Sequence, residues 1–243
     1  MKNNLIISIP VFNESERILN FLSEILSSFK DVDNCTINII NDCSQDDTLK
    51  KLNVFIKSLN SNIKIYVKNN SINLGHGRSV FEGLLLGLNA CQLLTVDGDH
   101  MVSGEDLYRF YLNGCKSSAS IIVGTRKNGD PPLFRKVTSW IVKLIVFVKT
   151  RRLIRDCNSP IRLYKNQLLK SFLNSSLQNK LTPNILFTIQ MVRDRIKFEE
   201  INVSLRNQGP IHLGTTWKNK YKQLPSLKFI IFIYRSFFEV IKF

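Results

Sequence analysis

Short, nearly unbroken apolar runs alternate with stretches whose apolar residues recur at helical spacing, and this alternation restricts the chain to few folds. Leu5 to Ile9, Thr36 to Ile40, Ile63 to Val67, Leu93 to Val96 and Ser120 to Val123 are the apolar runs. Runs of this kind suit strands covered on both faces. Between them Ile18, Leu22, Ile25, Leu26 and Phe29 repeat at helical spacing, as do Leu49, Leu52, Phe55, Ile56 and Leu59. The order strand, helix, strand, helix predicts an α/β fold with a mostly parallel central sheet flanked by helices.

In such sheets ligands bind beyond the carboxyl ends of the strands, and the residues there are polar. Asn13 and Glu14 follow the first run, Asn41 to Asp47 the second, and Asn73 to Arg78 the third. Asp97-Gly98-Asp99 follows the fourth and Gly124-Thr125-Arg126 the fifth. Two carboxylates one residue apart at a strand end can chelate a hard divalent cation. Asp31-Val32-Asp33 has the same spacing but reads as a plain loop, so context separates the two pairs. Asp42 at the end of the second strand can accept hydrogen bonds from a nucleobase or ribose, whereas Asp46, Asp47 and Thr48 read as helix capping. Asn73-Leu74-Gly75-His76-Gly77-Arg78 looks like half a dinucleotide fingerprint. It follows the third strand and has Val80 at the third glycine position, which argues against a nicotinamide cofactor. Its glycines still allow close backbone approach to a ligand, and a helix beginning near His76 offers amides to an anion.

The 243 residues suit one large domain or two halves sharing a core, and no internal repeat is present. Five cysteines, widely spaced and without a C-x-x-C, signal neither a disulfide framework nor a zinc site, and fit reduced thiols. Met1 to Asn4 runs into an apolar stretch that Pro10 ends, too short for the core of a signal peptide. The formal net charge of +15 predicts an anionic partner. The positive charge is concentrated between Arg126 and Arg152 and near the C-terminus, a pattern unlike a uniformly basic nucleic-acid coat. Phe134 to Lys149 and Leu227 to Phe243 are helical, apolar and punctuated by Lys and Arg. Both are too short and too charged to span a bilayer, and they suit amphipathic helices lying on an anionic membrane surface. In the second, Lys228, Arg235, Glu239 and Lys242 fall on one helical stripe.

The ordered set of motifs resembles the family 2 glycosyltransferases of the GT-A fold. Pro10-Val11-Phe12-Asn13-Glu14 is similar to that family's P-x-Y/F-N-E opening, Asn41 to Thr48 to its D-D-G-S-x-D-x-T, and Asn73 to Arg78 to its N-x-G-x-G. Asp97-Gly98-Asp99 stands where the D-x-D belongs. Gly124-Thr125-Arg126, Arg135 to Ser139, Asp156 to Tyr164 and Arg206 to Gly209 resemble the dolichol-phosphate mannose synthase branch and its bacterial polyprenyl-phosphate relatives. The resemblance spans about residues 6–214. Three positions depart from the pattern. Cys43 replaces a glycine, Met101 stands where the branch often has a metal-contacting glutamine, and Asn158-Ser159-Pro160-Ile161 replaces an S-G-F run.

The resemblance implies an inverting transferase moving a sugar from a GDP- or UDP-sugar to a polyprenyl phosphate. It would work peripherally on the cytoplasmic face of the membrane, anchored by its amphipathic helices or by a separate membrane subunit, with no nucleic-acid partner. Pro10, Phe12, Asn13, Glu14, Asp42, Asn73, Gly75, Asp97, Gly98 and Arg206 would form the donor site, with Asp97 and Asp99 around Mg²⁺ or Mn²⁺. Arg126, Arg135, Ser139 and Arg162 would hold the acceptor phosphate, since guanidinium forks match phosphate oxygens. Residues 1–243 would form a single GT-A domain: a donor half 1–126, an acceptor half 127–225 beginning at the Lys127 to Pro132 loop, and a surface helix 226–243. If the acceptor were a sugar hydroxyl, a general base would be needed. Asp156 is the catalytic candidate for that role, unless it pairs with Arg152, Arg155 or Arg162. A non-catalytic nucleotide- or membrane-binding module is the remaining alternative.

Overall fold

The computed structural model describes residues 4–127, 133–165, 173, 177, 179–206 and 227–243. Seven strands, β1 (Leu5–Val11), β2 (Cys35–Asn41), β3 (Lys64–Asn69), β4 (Gln92–Thr95), β5 (Ile121–Lys127), β6 (Arg162–Lys165) and β7 (Phe198–Ser204), form one sheet in the order β3-β2-β1-β4-β6-β5-β7. All run parallel except β6, which is antiparallel to both β4 and β5. The five predicted strands are present. β6 and β7 escaped the sequence reading because one is four residues long and headed by an arginine, while the other carries Glu199, Glu200 and Asn202 on an edge.

Seven helices among the described residues cover the sheet: α1 (Ile18–Ser28), α2 (Thr48–Lys57), α3 (His76–Leu86), α4 (Gly104–Lys116), α5 (Leu133–Thr150), α6 (Pro183–Arg193) and α7 (Leu227–Lys242). Phe21, Leu22 and Ile25 of α1 join Leu107 and Phe110 of α4 over one face. Val80, Phe81 and Leu84 of α3, Val146 of α5, Ile185 to Ile189 of α6 and Val240 of α7 cover the other. Each Leu, Ile or Phe side chain so buried contributes about 1.5–3 kcal/mol, which is why the strands read as near-continuous apolar runs. α4 starts where Ser103 accepts from the Asp106 amide at 3.0 Å and donates to the Asp106 carboxylate at 2.7 Å.

The chain turns outward in opposite directions from β1, toward β2 on one side and β4 on the other. That switch point opens a crevice at the carboxyl ends of the strands. A pocket there is lined by Ser8, Pro10, Val80, Thr95, Val96, Asp97, Pro160 and Asn184. Because β6, from the C-terminal half, is inserted between β4 and β5, the two halves expected from the sequence share one sheet. Residues 128–132 of the expected boundary loop lie outside the described residues.

Candidate active site

Three loops are stitched together at the ends of β1, β2 and β3. Asn13, in a left-handed conformation (φ 56°), donates its amide to Ser44 Oγ at 2.9 Å and accepts from the Gln45 amide at 2.8 Å. The Glu14 amide donates to Thr48 Oγ1 at 2.9 Å. Asp46 accepts from the Thr48 amide at 2.9 Å and from the Ser15 amide at 3.2 Å, so it caps as expected and also crosses to the β1 loop. Asp47, at the N-cap of α2, makes no side-chain cap bond, which corrects its half of the capping expectation. Cys43 also sits at a left-handed φ of 56°. That is why a glycine fits this position, since glycine adopts such a φ without strain.

Asp42 is buried, and its carboxylate is engaged within the chain. It accepts from Asn70 Nδ2 at 3.0 Å and from the Leu74 and Gly75 amides at 2.8 Å each, while Asn73 donates to its carbonyl at 3.2 Å. Asp42 therefore pins the loop that launches α3. Gly75, at φ +89°, makes the turn into the helix.

Asp97, which lines the pocket, and Asp99 follow the end of β4. Gly98 between them lies so close to β1 that an added Cβ would stand 2.5 Å from Val11 Cγ1 and 3.0 Å from the Pro10 carbonyl. Gly98→Ala is therefore expected to part the ends of β1 and β4 at a cost of about 1–3 kcal/mol, measurable by denaturant unfolding. Burial, and then repulsion from Asp97, push Asp99 up to about 6. Burial and then Asp99 likewise push Glu14 up to about 7. His76 Nε2 stands 3.7 Å from Asp97 Oδ1. The second D-x-D spacing, Asp31 and Asp33, lies in an exposed turn after α1, away from this cluster.

On the acceptor side Arg126 grips Asp156 with both ends of its fork, Nε to Oδ2 at 2.7 Å and Nη2 to Oδ1 at 3.0 Å. The expected partners of Asp156 were Arg152, Arg155 or Arg162; the observed one is Arg126. Burial alone would raise the Asp156 carboxyl, but the Arg126 guanidinium outweighs it and holds the group below the usual carboxylate range. That weakens Asp156 as a general base. A depressed carboxylate adds stability above its unfolded pKa and loses it as pH falls through the folded value. Asp156→Asn should therefore cost about 1 kcal/mol at neutral pH, the value for a pair screened by solvent. The gap in melting temperature between wild type and variant should close as pH is lowered from 6 toward 3.

Arg162 requires a correction. It is completely buried, donating Nε to the Ser159 carbonyl at 2.9 Å and Nη2 to Cys157 O (3.1 Å), Asn184 O (2.8 Å) and Thr188 Oγ1 (2.8 Å). A side chain so enclosed cannot meet an acceptor phosphate. It ties the loop before β6 to α6. Arg135 lies on the first turn of α5, with its side chain outside the described residues, and Ser139 is exposed one turn further on. Arg206 pairs with Glu24 of α1 and lies beside the turn after Asp99. Glu24 went unnoticed in the sequence because it is one acidic residue on the polar side of an amphipathic helix.

On α7, Arg235 and Lys242 are exposed, but Glu239 turns inward to accept from the Leu181 amide at 3.0 Å and the Thr182 amide at 3.2 Å. The four positions do share one stripe of the helix, and Glu239 uses its place there to bind the segment before α6. No helix among the described residues is long and apolar enough to cross a membrane.

A mostly parallel sheet in this order, flanked by helices, is the architecture of the GT-A class. The family model "Glycosyl transferase family 2" matches residues 6–178, and the chain belongs to that family. An uncharacterized protein of Methanocaldococcus jannaschii is 27% identical over 177 residues, 68% of this chain and 73% of its own length. The undecaprenyl-phosphate 4-deoxy-4-formamido-L-arabinose transferase of Proteus mirabilis is 22% identical over 186 residues, 74% of this chain but only 55% of that protein. The glucosyl-3-phosphoglycerate synthase of Mycobacterium tuberculosis superposes with a TM-score of 0.63 at 13% identity, covering 85% of this chain and 73% of that one. The same synthase has been solved with Mn²⁺, UDP and glucosyl-3-phosphoglycerate. Staphylococcus aureus TarS 1–349 in complex with UDP-GlcNAc gives a TM-score of 0.57 at 18% identity over 84% of this chain and 59% of that one.

Proposed function

We propose that this glycosyltransferase transfers a sugar, with inversion, from a GDP- or UDP-sugar to a polyprenyl phosphate while resting on an anionic membrane surface. The observation that carries the reading is the Arg126 fork at the end of β5, on the strand edge that also carries Asp97 and Asp99, held among the described residues only by Asp156 at 2.7 and 3.0 Å and still 37% exposed. An arginine beside the donor carboxylates suits an acceptor that is itself an anion. An acceptor phosphate would compete with Asp156 for that fork. A phosphate oxygen is already ionised and needs no base, which agrees with an Asp156 held in its charged, weakly basic form. The relationship to the Proteus mirabilis transferase supports the same acceptor class.

On the donor side, Glu14 and Asn73 would face the nucleoside, the buried Asp42 would serve from behind by holding the loop at Asn73 to Gly75, and Pro10 with Gly98 would form the floor between β1 and β4. The residues fit a divalent cation. Asp97 and Asp99 supply hard oxygen donors, and their mutual repulsion marks a place where added positive charge is favourable. Among the described residues no three His, Cys, Asp or Glu side chains cluster as metal ligands. Two carboxylates would therefore share the ion with the donor's diphosphate. The bound ion would neutralise charge on the departing nucleoside diphosphate.

Membrane contact is supported by the outward face of α5, where Val137, Trp140, Leu144 and Val148 are exposed at helical spacing beside Lys136 and Lys143. α7, joined to α5 by a 2.8 Å bond from Lys149 Nζ to the Ile241 carbonyl, exposes Ile231, Tyr234, Phe238 and Ile241 with Arg235 and Lys242. By this reading residues 1–126 serve the donor, 127–225 the acceptor and 226–243 the surface.

The test is incubation of the purified chain with radiolabelled UDP- and GDP-sugars, Mn²⁺ or Mg²⁺, and undecaprenyl or dolichyl phosphate in vesicles containing anionic lipid. Label partitioning into the organic phase is the expected result. Label found only on hydroxyl-bearing glycan acceptors would overturn the phosphate acceptor and favour a surface-glycan transferase. Binding to vesicles without turnover of any donor would favour a non-catalytic module.

A further inference from the structure

Two segments that frame Asp99 converge on one carboxylate of α1. Glu24 Oε2 accepts from the Gly104 amide at 3.0 Å, Oε1 lies 3.2 Å from His100 Nε2, and both oxygens accept from Arg206 Nη2. Arg206 also donates its backbone amide to the Met101 carbonyl at 2.9 Å, and the Met101 amide donates to Asp99 Oδ1 at 3.3 Å. Thus Glu24 reaches the Asp99 turn by two routes, through the His100 ring and through Arg206. His100 holds a left-handed φ of 57°, a conformation uncommon outside glycine though less so for histidine, asparagine and aspartate than for most residues. Besides Glu24, the ring of Phe21, with centroids 5.1 Å apart, holds the imidazole in place. The Glu24 side chain itself is 34% exposed. Its polar partners lie in the 100–104 segment and at Arg206, so the sheet core does not require it.

We propose that Glu24 is a positioning residue of the donor site, fixing both the turn that carries Asp99 and the reach of Arg206 beside it. The proposal rests on the reading of Asp97 and Asp99 as the place of a cation-bound diphosphate. A carboxylate that orients a neighbouring group in this way commonly changes metal-linked affinity by about 10–100-fold when neutralised. Glu24→Gln keeps the length of the side chain and an acceptor for the Gly104 amide, but gives up the charge that holds Arg206.

The test is titration of the full chain with UDP, GDP, UMP and GMP, each with and without Mn²⁺, for wild type and Glu24→Gln. The expected result is that the variant loses about tenfold in Mn²⁺-dependent affinity for the diphosphate, while metal-free affinity for the monophosphate is unchanged. A merely structural role would weaken both equally. Equal weakening, or none, overturns the positioning role. Failure of the wild type to bind any of the four nucleotides overturns the donor-site reading, and the proposal with it. Should Glu24→Gln fail to fold, His100→Asn serves instead, because asparagine tolerates the left-handed backbone and removes the ring that Glu24 holds. It should show the same selective loss, and wild-type discrimination in it overturns the proposal.

Discussion

Arg162→Met is expected to lower the free energy of unfolding by about 1–3 kcal/mol, because it removes the donor from buried acceptors of which the Thr188 hydroxyl can still serve only the Cys157 or Asn184 carbonyl. The carbonyls of Cys157, Ser159 and Asn184 and the Thr188 hydroxyl all receive hydrogen bonds from this one guanidinium. Methionine fills much of the same volume but donates nothing. Arg162→Lys should recover part of the loss, since an ammonium can reach one or two of these oxygens but lacks the planar fork. Chemical denaturation of the three proteins checks this. A loss under about 1 kcal/mol in the methionine variant would mean that water or relaxation replaces the network.

Asp99→Asn is expected to remove about three orders of magnitude from kcat/KM, since stabilising charge on a departing diphosphate is worth several kcal/mol and each 1.4 kcal/mol is tenfold. Its effect on stability should have the opposite sign. Asp99 is charged at a cost, imposed first by burial and then by Asp97. The amide removes that repulsion, so the melting temperature should hold or rise. Steady-state rates with a donor that the wild type turns over, beside thermal unfolding of both proteins, separate the two effects. A variant that loses activity and several degrees of melting temperature together would instead assign Asp99 a structural role.

Much of this fold is legible in the sequence. The five apolar runs became β1 to β5, the helical repeats became α1 and α2, and the polar strand ends met at one edge, as a parallel α/β topology requires. The tightest local chemistry was also legible. Asp97-Gly98-Asp99 follows a buried strand, so its position at the switch point follows from topology alone. The amphipathic segments 134–149 and 227–243 became α5 and α7 almost at the predicted bounds. What failed concerned partners. Arg162 and Arg126 are two arginines in basic, apolar surroundings, and nothing in their neighbours along the chain distinguishes one that is wholly enclosed from one that is 37% exposed.

The sequence alone determined the order of strands and helices and the motifs at the strand ends, because apolar periodicity and turn chemistry act between residues close in the chain. Only the tertiary structure decided which charges are paired and which face the crevice. Asp156 meets Arg126 across 30 residues and Glu24 meets Arg206 across 182. A charge's partner depends on which segments the sheet brings side by side, and its cost or benefit depends on the water excluded there. Inserting β6 between β4 and β5 carries Arg162 into the core and leaves Arg126 at the rim. That insertion is a property of the assembled sheet.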